Sequence, residues 1–110
     1  MAASLLLYAS ACTREETPRE PVDLQAAERI VFSQFGEDGV IEKIFETIEP
    51  GPKFAVEFGA HDGINNSNMR NLVVNHGWSS FQIEGDEKRA ADLAANYRDH
   101  PTTRTLRAWV

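Results

Sequence analysis

Cysteine is nearly absent from this chain of 110 residues. Cys12 stands alone, which excludes an intramolecular disulfide and a zinc site built on cysteine pairs. His61, His76 and His100 fall at no metal-ligand spacing. Cations are scarce as well: 11 Lys and Arg face 17 Asp and Glu, a formal charge of −6, and no basic cluster occurs. Affinity for nucleic acid rests on neutralising phosphates, so no nucleic-acid partner is expected. The excess negative charge keeps such a chain in solution. No run reaches the ~18 apolar residues of a membrane span, so no membrane partner is expected either. Ala2 to Cys12 carries part of the pattern of a secretory leader ending at a lipoprotein-type cysteine. It lacks a basic start and its apolar run is short. The expectation is a cytoplasmic protein. Internal repeats and low-complexity segments are missing too.

What is present has the balance of a globular domain, with 42% hydrophobic and 25% charged residues, and the length allows one domain. Residues 1–20 are expected to be a poorly ordered tail, because Thr13 to Pro21 is charged and carries two prolines. Residues 21–110 form the structured part. Val22, Leu24, Ala27, Ile30 and Val31 recur at helical spacing after Pro21, which predicts a short amphipathic helix. Val40, Ile41, Ile44, Phe45 and Ile48 make the stripe of a second helix, with Glu42, Lys43 and Glu46 facing away. Ser33 or Asp38 could cap it, and Pro50-Gly51-Pro52 stops it.

The chain is organised around Lys53 to Gly63. Phe54 to Phe58 predicts a short buried strand that runs past the Glu57 carboxylate into a turn bracketed by Gly59 and Gly63. Met69, Leu72 and Val73 then suggest a short helix stopped by Gly77. Ser79 to Glu84 is a second strand that also ends on a carboxylate. Asp86 to Arg98 is an alanine-rich helix with Ala90, Leu93, Ala94 and Tyr97 on one face, and a third strand starts at Thr103. Trp78 and Trp109 are expected in the core or at a subunit contact. Strand-helix alternation calls for a Rossmann-like α/β fold: a partial parallel sheet of about three strands, flanking helices and right-handed crossovers. Ligands of such sheets sit at the carboxyl ends of the strands, where a loop meets a helix N-terminus.

Glu84 lies about 20 residues beyond Gly63, the spacing at which an acid can accept ribose hydroxyls. The glycines do not follow the dinucleotide pattern, since His61 stands where a second glycine would let a pyrophosphate approach. Glu57 and Asp62 would oppose a pyrophosphate by about a kcal/mol or more. A nucleoside bearing an ammonium and a sulfonium suits those acids, and S-adenosylmethionine is such a ligand. Its carboxylate could sit at the helix N-terminus near Asn66 to Asn68.

Val56 to Gly63 resembles motif I of class I S-adenosylmethionine-dependent methyltransferases, and Ile83-Glu84-Gly85-Asp86 resembles their second-strand acidic motif. Ser33 to Gly39 (SQFGEDG), Asn66-Ser67-Asn68 and Gly77-Trp78 resemble the FkbM-type methyltransferase family in particular. The resemblance covers roughly residues 30–110 and about the first half of such a domain. It implies that Glu57, Gly59, Ala60 and Gly63 line the methionine end of the cofactor, with His61 beside them, and that Glu84 holds the ribose. Ser33 and Gln34 would approach from the N-terminal side. The reaction implied for a complete enzyme is methyl transfer, often to a hydroxyl oxygen. The acceptor-facing loop of the family's fourth strand has no counterpart here, so no catalytic residue is assigned. In family topology the strand Phe54–Phe58 is left with an open edge, and self-association through that edge is expected. Two other readings stay open: a non-catalytic binding or interaction module, and an NAD-binding oxidoreductase fragment, which the glycine spacing and acids disfavour.

Overall fold

A computed structural model describes residues 20–110. The expected tail, apart from Glu20, and the leader-like stretch with Cys12 fall outside the described residues. A single 3-10 turn, Gln25–Ala27, leads into α1 (Glu37–Thr47), β1 (Phe54–Phe58), α2 (Arg70–His76), β2 (Ser79–Glu84), α3 (Glu87–Asn96) and β3 (Thr103–Arg107). The strands form one open, all-parallel sheet in the order β1-β2-β3. This is a partial Rossmann-like α/β fold.

Two small cores join the helices to one face of the sheet. Ala55, Leu72 and Trp78 are buried together, with Ile41, Phe45 and Met69 against them, which seats α1 and α2 on β1. Ala60, Val73, Leu93 and Tyr97 form the second, which joins α2 to α3. Leu93 is fully buried, a contribution of about 2 kcal/mol. Both crossover helices lie on the same face while the chain steps one way across the sheet, as a uniform crossover hand requires. Trp78 is a core residue, whereas Trp109 is 82% exposed and is not. Ala94 also differs from expectation, being exposed on α3 beside buried Ala90, Leu93 and Tyr97.

The expected helix over 22–31 does not form. Beyond the 3-10 turn, Glu28 takes an extended ψ of 126°, and Val22, Leu24, Ile30 and Val31 remain exposed. Within the segment the Arg29 N–H donates to Gly36 O at 3.1 Å in place of a helical partner, and at its end the chain turns towards Asp38. Val31, Phe32 and Ser33 all donate N–H to the Asp38 Oδ2, at 2.8, 2.6 and 2.7 Å. The Asp38 N–H in turn donates to Ser33 Oγ at 3.1 Å. Asp38 therefore organises the segment before α1 as well as standing in the helix's first turn. Gly39 completes the arrangement, since a Cβ there would lie 2.1 Å from the Ala27 carbonyl oxygen, and its N–H donates to Arg29 O at 3.1 Å.

Glu42 also departs from expectation. It does not face away: it accepts from Asn71 Nδ2 at 2.7 Å, sits 2.9 Å from His76 Nε2 and pairs with Arg29. The hydrogen bond from Asn71 leads the interactions that lower its carboxyl below the ordinary range against the cost of burial. α1 and α2 are thus joined by a polar clamp in addition to apolar contact.

β1 is not buried on both faces. Ala55 is covered by helices, while Phe54, Val56 and Phe58 on the opposite face are 55%, 44% and 61% exposed. Among the described residues helices lie on one face only, so a strand that reads as continuously apolar has one side exposed.

Asp38→Ala removes the acceptor for three consecutive amides. Hydrogen exchange at Val31, Phe32 and Ser33 is expected to speed up at least tenfold, with β2 amides much less affected.

Candidate functional site

The carboxyl ends of β1 and β2 hold most of the residues singled out from the sequence. β1 and β2 pair in register from Phe54↔Ser79 to Phe58↔Ile83, so Glu57 and Glu84 stand on the same face of neighbouring strands. The loop between them is stitched to β2 at two points. Ala60 N–H donates to the Ile83 carbonyl at 3.0 Å, and His61 N–H donates to Glu84 Oε2 at 2.7 Å. The other oxygen of Glu84 accepts from Asp86 N–H at 2.9 Å. The Asp86 bond first, and then that from His61, holds the Glu84 carboxyl below the usual range despite its burial.

The loop is also held from the side of α3. Asn96 Nδ2 donates to Asp62 O at 2.8 Å, and the Tyr97 hydroxyl donates to Gly63 O at 2.7 Å. Gly63 has φ +77°, and a Cβ there would lie 2.4 Å from Tyr97 and 2.5 Å from Leu93. Gly59 is different: its φ is +65°, but a Cβ would meet nothing within 4 Å. One glycine is required by packing, and the other faces open space at the strand end. His61, a non-glycine residue, is held at φ +56°, a conformation costing about 1–2 kcal/mol; its N–H bond to Glu84 helps to hold it there. Its side chain is exposed, 3.5 Å from Asp62.

Asp62 closes the turn that follows. It accepts N–H from Ile64 at 2.9 Å and from Asn65 at 2.8 Å. Burial opposes its ionisation, but these bonds, with the Asn65 and His61 side chains, outweigh it and bring the carboxyl down to about 2.

Glu57 sits in the opposite situation. Burial pushes its carboxyl up, more than Asn68 N–H at 3.1 Å and Ser67 Oγ at 2.9 Å can offset, and the nearby Asp38 charge adds to the rise. Asp38 is itself 1% exposed, and its Oδ1 is buried without a hydrogen-bond partner among the described residues. Burial raises Asp38 too, but the amides of Ser33, Phe32 and Val31 outweigh it and hold its carboxyl below the ordinary range, so an ionised Asp38 lies within electrostatic reach of Glu57 beside the strand end.

The helix N-terminus expected to receive a ligand carboxylate is already engaged. Asn68 N–H donates to Glu57, and Met69 and Arg70 N–H donate to Ser67 Oγ at 3.2 and 3.0 Å. Ala60 is core, at 2% exposure, so only its backbone can face a ligand. Ser33 is buried against Asp38, whereas Gln34 is exposed and makes no hydrogen bond to the other site residues among those described. Sequence reasoning missed Arg70. Its guanidinium carbon lies 5.4 and 5.3 Å from the ring centroids of Phe32 and Tyr97, with Nε and Nη1 buried and lacking hydrogen-bond partners among the described residues. Nothing in the local pattern at the start of α2 signals two ring partners so far away in the chain.

Two cavities, of about 210 and 500 Å³, open at the amino ends of the strands, bounded by residues such as Lys53 and Trp78 or Phe54 and Thr102. Neither touches Glu57, Glu84 or the loop between the strands. Among the described residues no cluster of His, Cys, Asp and Glu could hold a metal, and no helix is long and apolar enough to cross a membrane.

Two substitutions separate the glycines. Gly63→Ala is expected to cost about 3 kcal/mol, from overpacking and a left-handed backbone together, whereas Gly59→Ala costs only about 1 kcal/mol for the backbone. Urea unfolding of both variants measures the difference. The Asp62 turn has a pH signature. Its folded carboxyl lies below the unfolded one, so its contribution is complete above pH ~4 and lost as pH falls towards 2. Asp62→Asn is therefore expected to lower stability at pH 7 and to converge with the parent near pH 2.

No protein-family model matches this chain, and no curated protein matches it either.

Proposed function

We propose that this chain is the S-adenosylmethionine-binding part of an FkbM-type methyltransferase. The observation that carries the reading is the bond from His61 N–H to Glu84 Oε2. It brings the glycine-bracketed loop against the second-strand acid, at the carboxyl ends of adjacent parallel strands, where open α/β sheets bind ligands. The charge distribution supports a cationic nucleoside. The raised Glu57 and the unpartnered Asp38 Oδ1 fit a ligand bearing an ammonium and a sulfonium, and they disfavour a pyrophosphate. Open space at Gly59 gives such a ligand room to approach the backbone.

S-adenosylmethionine, when bound, supplies a methyl group on an electrophilic sulfonium. Glu57 would hold its positive end, with the buried Asp38 charge acting on it from behind, and the Glu84 lone pairs left over from His61 and Asp86 would orient the ribose. In a complete enzyme the transfer, to oxygen by the family resemblance, depends mainly on aligning donor and acceptor. One observation favours a second reading. Glu84 already accepts two backbone amides, so it can act solely as a staple in a non-catalytic Rossmann-like binding or interaction module.

Thermal unfolding with S-adenosylmethionine, S-adenosylhomocysteine and NAD separates these readings. Saturation at 100 times the dissociation constant adds ~2.7 kcal/mol, several degrees in a domain this small. The expected outcome is a shift with the first two ligands and none with NAD. Glu57→Gln is expected to abolish the shift while raising the midpoint of the free protein at pH 7. The sign follows from the raised carboxyl: its favourable contribution is complete at low pH and is lost as pH rises through the folded pKa. A midpoint indifferent to every ligand leaves the non-catalytic module.

A further inference from the structure

We propose that the Arg70 guanidinium receives the carboxylate of the bound ligand, so that Arg70 and Glu57 together read an α-amino acid zwitterion. On the cofactor reading above, on which this rests, the ligand ends in an ammonium and a carboxylate on one carbon. Glu57 takes the ammonium. The amides at the start of α2 cannot take the carboxylate, because Asn68 N–H is spent on Glu57 and those of Met69 and Arg70 on Ser67 Oγ. The acids at the strand ends repel it. It needs a cation whose donors are still free.

Arg70 is such a cation. Among the described residues its Nε and Nη1 are buried without hydrogen-bond partners, a costly state for charged donors and a rare one in folded proteins. Phe32 and Tyr97 do not relieve it. The guanidinium carbon lies over both rings; ring faces attract the charge, while the N–H groups project from the edge of the guanidinium plane. A carboxylate fits that edge, accepting two parallel N–H bonds.

Three bonds tie Arg70 to the site. Ser67 Oγ accepts the Arg70 N–H at 3.0 Å and donates to Glu57 Oε2 at 2.9 Å. Phe32 N–H donates to Asp38, and the Tyr97 hydroxyl donates to Gly63 O. The two ring partners thus belong to, or are bonded to, the segments that flank Glu57. Arg70 as a whole is only partly buried, which leaves a ligand an approach to it. Arg89 acts on Glu84 instead, at the ribose end. Arg70 lies outside the motifs that carry the family resemblance, so that resemblance implies no role for it.

Calorimetric titration of the full chain with S-adenosylmethionine and with decarboxylated S-adenosylmethionine, which keeps both positive groups, tests the proposal. An acidic site with no cation for the carboxylate favours the decarboxylated ligand, which carries one negative charge fewer. The expected result is the reverse, with S-adenosylmethionine bound at least about tenfold more tightly. Arg70→Gln should erase that preference by weakening S-adenosylmethionine alone, and Arg70→Lys should keep part of it. Arg70→Met, which keeps an apolar stem against the two rings, replaces the glutamine variant if that one loses its fold. An arginine with a structural role only weakens both ligands equally and leaves their ratio unchanged. Equal affinities in the parent chain, or a preference that survives the loss of the guanidinium, overturn the role of Arg70 and leave the cofactor reading standing. A parent chain that binds neither ligand overturns both.

Discussion

The carboxylate of Glu84 grips two amides that reach it from opposite directions. His61 arrives from the loop after β1, and Asp86 opens the turn into α3. A buried carboxylate is costly unless it is hydrogen-bonded, and here one backbone N–H reaches each oxygen. The ends of two neighbouring strands are thereby fixed against each other by a single side chain. That grip helps to hold the left-handed His61, while the strand register sets Glu57 beside Glu84 and the Tyr97 hydroxyl fixes Gly63. A strand end that would otherwise carry a mobile turn becomes a defined surface.

Much of this was legible in the sequence. Period-two apolar runs ending on carboxylates, Asp86 ahead of an alanine-rich helix and Gly77 after a short one gave β2, α3 and α2 nearly to the residue. These are local signals, and the structure honours them because nothing distant competes. The segment over 22–31 failed for the converse reason. Its apolar spacing is helical, but the Arg29 amide is taken by Gly36 O and the amides of Val31 and the two residues after it by one carboxylate further along. No periodicity count registers such a competitor. Glu42 was misread in the same way, because a charged residue on a helix looks solvated until Asn71, His76 and Arg29 arrive to meet it. At the site, spacing identified Glu57, Gly63 and Glu84 together, but not that Asp38 would press its charge on Glu57.

The sheet has an unusual division of polarity. Beneath the helices β2 presents Ser80, Gln82 and Glu84, all buried, with Ser80 Oγ 2.9 Å from Thr103 Oγ1 and Gln82 donating to Ser80 at 3.1 Å. The opposite face carries the aromatics. Most half-covered sheets do the reverse and turn their apolar side to the helices. Here the covered side is a polar layer needing specific partners, which restricts how the helices can seat. The apolar contacts that hold the helices come largely from the helices themselves and from residues at strand ends, such as Ala60 and Trp78.

Arg70 sets an order in which this molecule can be put together. The turn around Asp38 closes through bonds between residues five to seven apart, and it can form as soon as those residues exist. Its docking on the rest is another matter. Phe32 and Tyr97 share the Arg70 guanidinium, and Tyr97 takes its place only once α3 lies on the sheet. Contacts that close long stretches of chain form late, because the entropy of closure must be overcome first. A chain made from its N-terminus thus shapes this segment early and secures it last.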